Sequence, residues 1–103
     1  MKYINEHSVH GVQRMRYLYM EQTAPQVLRS MMEDETLEGY LKDCEKRWRS
    51  RKGQIMESMV QRRGLGGQWA NEHGWEEYLR ELRYCDRAAS EVARSEVIEA
   101  PLA

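Results

Sequence analysis

No apolar run in this chain approaches the roughly 18 residues that a membrane-spanning helix needs, and the N-terminus lacks the apolar block of a secretory signal. Those two absences predict a cytoplasmic chain with no membrane partner. Cysteine is scarce: Cys44 and Cys85 are the two present, too far apart for a metal or redox motif. In a reducing compartment they are expected as small apolar residues and not as a disulfide. Proline is equally sparse, with Pro25 and Pro101 alone, so nothing interrupts helix over 36–63. Internal repeats and low-complexity tracts are lacking too. Net charge is −1, which weakens any case for nonspecific DNA binding without removing a local basic patch.

What is present is enough for one small domain. The 103 residues are 41% hydrophobic and 32% charged, a polar balance that still supplies a modest core. Leu37, Leu41, Cys44, Trp48, Ile55 and Met59 recur at three-, four- and seven-residue spacing, which puts them on one stripe of a long helix. Thr36 stands where it can cap that helix, and Gly64-Leu-Gly-Gly67 supplies the positive-φ residues that end it. A last helix is expected from about Asn71, as its cap, to Glu99. Trp75, Tyr78, Leu79, Leu82, Cys85, Ala89, Val92, Ala93 and Val97 form its stripe. Upstream, 12–22 reads as a short helix closed by Thr23, Ala24 and Pro25, and Pro25 opens a second carrying Val27, Leu28, Met31 and Met32.

The expected fold is therefore all-α: an antiparallel hairpin of two long helices, matched in length and joined by the glycine-rich corner, with two short N-terminal helices packed against it. Residues 1–11 read as a loose lead-in, 12–99 as a single helical domain and 100–103 as a tail. The apolar stripes exceed what one thin hairpin covers, which leaves a homo-oligomer open. Methionines at 15, 20, 31, 32, 56 and 59 and tyrosines at 17, 19, 40, 78 and 84 are expected in the core more than at an interface.

Arg14-Met15, Tyr19, Pro25, Leu37-Glu-Gly-Tyr-Leu41 with Asp43, Ile55-Met56, Met59, Gly64, Asn71, Trp75 and Arg87-Ala88 together resemble the TnpV family, small proteins encoded on transposons of Gram-positive bacteria. The resemblance runs from about Val12 to Ile98 and needs no gap between Arg14 and Leu65. It departs at the glycine-rich connection, which is shorter here, and at the N-terminus, where the family's longer segment is missing. The resemblance implies an all-helical fold and a mobile-element context. It brings over no catalytic residue.

The residues themselves point away from catalysis. His7 and His10 are spaced as His-x-x-His, but a third ligand, His73 or a cysteine, is remote, so no metal or other cofactor is expected. Glu76, Glu77 and Glu81 fit ordinary surface pairing with Arg80 and Arg83. The Gly64–Gly67 stretch lacks the Lys-Ser/Thr ending of a phosphate loop.

Two interaction surfaces remain. Between Lys42 and Arg63 eight basic residues face three acids, a local charge of +5, and Arg47, Arg49, Arg51, Lys52, Arg62 and Arg63 are the candidates for touching DNA or a partner. Their charge spreads around the helix, and from Asn71 to Ala103 a net −4 is available to offset it. The opposite sign gathers at Glu33, Asp34, Glu35 and Glu38, a compact acidic turn suited to a basic channel. The functional expectation is a non-enzymatic regulatory protein of a mobile genetic element that acts on a nucleoprotein complex, DNA or a recombinase, through the basic helix. The alternative is an anti-CRISPR-type inhibitor that blocks a Cas-type nuclease through the acidic turn.

Overall fold

The computed structural model describes residue 5 and residues 7–102. Its order is α1 (Gly11–Thr23), α2 (Pro25–Glu33), α3 (Leu37–Arg62), α4 (Gly67–His73), α5 (Trp75–Ala93) and a π-helical turn (Arg94–Ile98). Among the described residues there is no strand, so the all-helical class stands. Most of the lead-in expected over 1–11, residues 1–4 and 6, lies outside the described residues, as does residue 103 of the tail. The described part holds a turn, in which Asn5 Oδ1 accepts from the His7 and Ser8 amides, and a buried Val9.

The α1–α2 corner follows from Pro25. Its ring disfavours helix at the preceding residue, and Ala24 accordingly sits at φ −149°. Ala24 still donates to the Met20 carbonyl and accepts from Val27 and Leu28, so the break leaves few orphan groups.

Both ends of interest, those of α2 and α3, close with the same hydrogen-bond pair. After α2, Thr36 N–H donates to Met31 and Glu35 N–H to Met32; after α3, Leu65 N–H donates to Val60 and Gly64 N–H to Gln61. This is a Schellman motif, which needs a left-handed residue just past the helix. Gly64 provides it at φ 64°, whereas after α2 it is Glu35 at φ 59°. The Thr36 hydroxyl, expected as a cap for α3, donates backward to the Met31 carbonyl.

The chain falls into two compact units, Met1–Trp48 with Arg94–Ala103, and Arg49–Ala93. In the first, Val9, Tyr17, Met20, Leu28, Leu37 and Leu41 form the core, with Leu18, Met31, Met32, Tyr40 and Leu102 against it. Cys44 and Ile98 are also buried there. In the second, Leu65, Ala70, Cys85, Ala89 and Ala93 are buried, the last three at four-residue spacing on one line of α5. The long apolar stripe of α3 is thus buried at Leu37, Leu41 and Cys44 and half-buried at Trp48, Ile55 and Met59.

Four expectations are corrected. The last helix is not continuous from Asn71: Gly74, at φ 94°, breaks it into α4 and α5, and Asn71 lies inside α4. The connection is therefore not a bare glycine corner, because a seven-residue helix carrying Trp69 occupies it. The long helices do not match, at 26 and 19 residues. Trp75 and Val92, assigned to the buried stripe, are 65% and 42% exposed. Trp75 opens α5 at the break, where its ring leans on Tyr78 at a centroid distance of 5.3 Å.

Candidate functional site

The six basic candidates all ride on α3 or its last turn, and the structure sorts them by what holds them. Arg47, in the first unit, pairs one turn back with Asp43 at 3.1 Å, both side chains in solvent. In the second unit, half-buried Lys52 pairs with Asp86 of α5 at 2.9 Å. Arg63 pairs with Glu81 of α5, and its guanidinium lies 4.4 Å from the Tyr84 ring centroid. Arg51 donates to Gln54 Oε1 at 3.4 Å, a weak bond at the edge of the accepted range. Arg49 and Arg62 are exposed. The expected offset of basic charge by acidic residues is thus realised for Lys52 and Arg63, while Arg62 meets no carboxylate among the described residues.

These positions form two rows. Arg51 and Arg62 are eleven residues apart, about three turns, so they share a line along α3 to within about 20° and stand about 16 Å apart along the axis. Lys52 and Arg63 repeat the spacing on a line about 100° round the helix. Asp86 and Glu81 of α5 occupy the second row. The first borders a groove of about 410 Å³, also lined on α3 by Gln54, Ile55, Ser58 and Met59. Ala88 and Val92 of α5 complete its wall.

The acidic candidates cluster in the first unit. Glu33, Asp34 and Glu35 are exposed around the α2–α3 turn, and no cation pairs with them among the described residues. Glu38 differs, being half-buried and paired with Lys42 at 3.2 Å. All four lie near the positive end of the α3 dipole.

Among the described residues no group of three or more His, Cys, Asp or Glu could hold a metal ion. Cys44 and Cys85 are buried and free of disulfide. Burial pushes the Cys44 thiol up from its ordinary value of 9.0; the Arg16 and Arg47 guanidinia pull more weakly downward, and Asp43 adds a small push up. Of the carboxylates considered for catalysis, Glu77 pairs with Arg80 at 3.2 Å, Glu81 with Arg63, and Glu76 stands in solvent.

Two features escaped the sequence reading. The groove needs Ala88 and Val92 of α5 beside the α3 row, and their four-residue spacing was the available signal. The other is Arg16, 3% exposed, the sole buried charged residue described. Its signal was an arginine between Met15 and Tyr17 on a short helix.

Set against protein-family models, curated proteins and solved structures, the chain matches none. No helix among the described residues is long and apolar enough to cross a membrane.

Proposed function

We propose that this chain is a non-enzymatic, cytoplasmic regulatory protein of a mobile genetic element, acting on a nucleoprotein complex by contacting DNA or a recombinase through α3. The observation that carries the reading is the exposure of Arg47, Arg49, Arg51 and Arg62 along one uninterrupted 26-residue helix. The residues shared with the TnpV pattern support the mobile-element context. We also read the second unit as an antiparallel pairing of α3 with α5. Support comes from its ion pairs, which run in opposed sequence order, Lys52 to Asp86 and Arg63 to Glu81.

A pull-down from host extract, with and without nuclease treatment, separates DNA-mediated from direct protein contact. A gel shift with duplex DNA then follows affinity against salt, which falls steeply where lysine and arginine displace counterions. Replacing Arg47, Arg49, Arg51 and Arg62 with serine is expected to cut binding to the captured partner at least about tenfold, since phosphate and carboxylate contacts are charge-assisted. Negligible capture of both DNA and recombinase, or no effect of the serine variants, rejects the reading.

One observation favours a second reading. Glu33, Asp34 and Glu35 present carboxylates that no described cation neutralises. In this reading they and Glu38 enter the basic channel of a Cas-type nuclease as an anti-CRISPR-type plug. Undiminished DNA cleavage by a panel of such nucleases in the presence of excess chain removes it.

A further inference from the structure

We propose that the ring cluster where α4 meets α5 is a docking site for an arginine-bearing basic segment of another protein. The inference goes beyond the reading of α3 as the recognition helix and places a separate surface on α4 and α5.

Four rings follow one another around the Gly74 break. His73 stacks on Trp69 at a centroid distance of 4.1 Å with 14° between planes, Trp69 meets Tyr78 at 6.3 Å, and Tyr78 meets Trp75 at 5.3 Å. Trp75 ends the row 65% exposed, which leaves a face of its indole to solvent. The charge around these rings has one sign: 67–79 holds Glu72, Glu76 and Glu77 and no lysine or arginine. Glu77 is paired with Arg80, whereas Glu76 stands in solvent and Glu72 accepts from the neutral Gln68 amide at 3.3 Å. Because α4 ends at Gly74 and α5 opens directly after it, the negative end of one dipole adjoins the positive end of the other, and the carboxylates set the local sign.

An electron-rich ring face beside carboxylates attracts a planar cation, since a guanidinium can stack on the ring and donate to the oxygens at once. The chain makes such an assembly further along α5. There the Arg63 guanidinium, from outside that helix, lies 4.4 Å from the Tyr84 ring centroid and pairs with Glu81. At the corner Trp75 and Tyr78 supply the ring faces and Glu72 and Glu76 the carboxylates, while the described cation–ring pairs lie elsewhere, at Tyr19, Tyr40 and Tyr84.

Other occupants fit less well. A nucleobase also stacks on an indole, and the corner does hold donors for its phosphates in the Gln68 and Asn71 amides, the indole N–H groups and the Tyr78 hydroxyl. Those donors are neutral, and the phosphates meet Glu72 and Glu76. His73 turns Nδ1 to the Trp69 carbonyl at 3.0 Å, so Nε2 is its one outward donor when protonated, against two carboxylates. A second copy laid corner to corner about a two-fold axis sets Glu72 and Glu76 against their own copies, which costs affinity.

The test uses the full chain and a fluorescein-labelled peptide of alternating arginine and serine, about 12 residues long. Controls carry citrulline, which keeps the shape and removes the charge, or lysine in place of arginine. Anisotropy is expected to give binding at least about tenfold tighter than the citrulline peptide and about threefold tighter than the lysine peptide, weakening as salt is raised. Trp75→Ala and the Glu72→Gln/Glu76→Gln variant are each expected to lose about fivefold or more. Glu33→Gln/Asp34→Asn/Glu35→Gln, which removes the other acidic cluster, leaves affinity unchanged. Circular dichroism checks that each variant is folded; all six positions are exposed, so a folded protein is expected.

Equal affinity for the citrulline peptide, full affinity in Trp75→Ala, or a loss confined to the variant at 33–35 overturns the proposal. So does a labelled oligothymidylate that binds the chain and is released by Trp75→Ala, or a solution dimer that Trp75→Ala dissociates. None of these variants touches the arginines of α3, so this surface and the reading of α3 fail separately.

Discussion

Arg16 Nη1 donates to the carbonyl oxygen of Ile98 at 2.7 Å, across 82 positions of sequence. The same nitrogen reaches the Ala100 carbonyl at 2.7 Å, while Nε and Nη2 donate to the Tyr40 hydroxyl at 3.2 and 2.8 Å. The guanidinium also lies 5.2 Å from the Tyr19 ring centroid and 5.8 Å from that of Tyr40. No described carboxylate pairs with it, so carbonyl dipoles and ring faces carry the buried charge. Ile98 is the last residue of the π-helical turn and Ala100 lies two residues past it, where no further helical turn supplies their carbonyls with donors.

Replacing Arg16 with methionine roughly keeps the volume but strands the buried Ile98 carbonyl, the part-buried Ala100 carbonyl and a tyrosine hydroxyl. Loss of such a network is expected to cost about 2–4 kcal/mol. A urea titration should show the lower midpoint, and hydrogen exchange should show the 94–102 segment opening first. Lysine at this position is expected to recover little, because a single ammonium does not reproduce the planar fork. A midpoint within error of the parent would mean that the network is not holding the chain end.

The two Schellman turns make a matched pair with opposite expectations. Glu35 occupies the left-handed position at a steric cost of order 1 kcal/mol, from which Gly64 is exempt. Glu35→Gly is therefore expected to raise stability by about 0.5–1 kcal/mol and Gly64→Ala to lower it by about 1 kcal/mol. A Cβ at Gly64 meets nothing within 4 Å, so the second loss is conformational and not a clash. Thermal melts of both variants decide it, and a Glu35→Gly protein that melts lower than the parent is the contrary result.

Why some of this was legible and some not comes down to the range of the interaction. Pro25, the 3.6-residue period from Leu37 and the glycine at 64 act through neighbours in sequence, and α1, α2 and α3 begin and end within a residue or two of where those residues predict. Gly74 was missed because a glycine inside an amphipathic pattern is often tolerated, and the stripe from Trp75 onward continues the phase of a helix begun earlier. Trp75 then read as core because periodicity reports a face and not whether anything covers it. Arg16 and the groove depend on contacts distant in sequence, which charge counts along the chain do not encode. The basic positions themselves are read directly along the chain, but which of them meet carboxylates of α5 and which border the groove depends on α5.

Cys44 supplies a pH dependence of definite sign. Burial favours its neutral thiol, so its pKa in the folded chain lies above the ordinary 9.0. Below that ordinary value both folded and unfolded chains hold the proton, and the contribution is fully present. Above it the unfolded chain loses the proton first, and stability falls until pH passes the folded value. Chemical denaturation between about pH 8 and 10.5 should show this decline, and Cys44→Ala should make it shallower while lowering stability at every pH by roughly 1–2 kcal/mol. The native thiol should also resist an aromatic disulfide reagent at pH 8 until the chain opens. Rapid labelling of Cys44 in the folded protein is the outcome that contradicts its burial.

The proposed antiparallel pairing of α3 with α5 is open to a charge swap at Lys52 and Asp86. The pair is 2.9 Å apart with one side chain largely shielded, so a coupling of about 0.5–1 kcal/mol is expected, less at high salt. Lys52→Asp sets two carboxylates against each other and should destabilise the protein; Asp86→Lys in the same chain restores an attractive pair and should recover most of the loss. Arg63 with Glu81 gives an independent cycle at the other end, complicated by the Tyr84 ring beneath the guanidinium, which Arg63→Asp also abandons. A register in which α3 and α5 run as read requires both cycles to couple positively. Coupling at neither pair, with both double variants merely adding their single losses, would detach α5 from the row it is assigned.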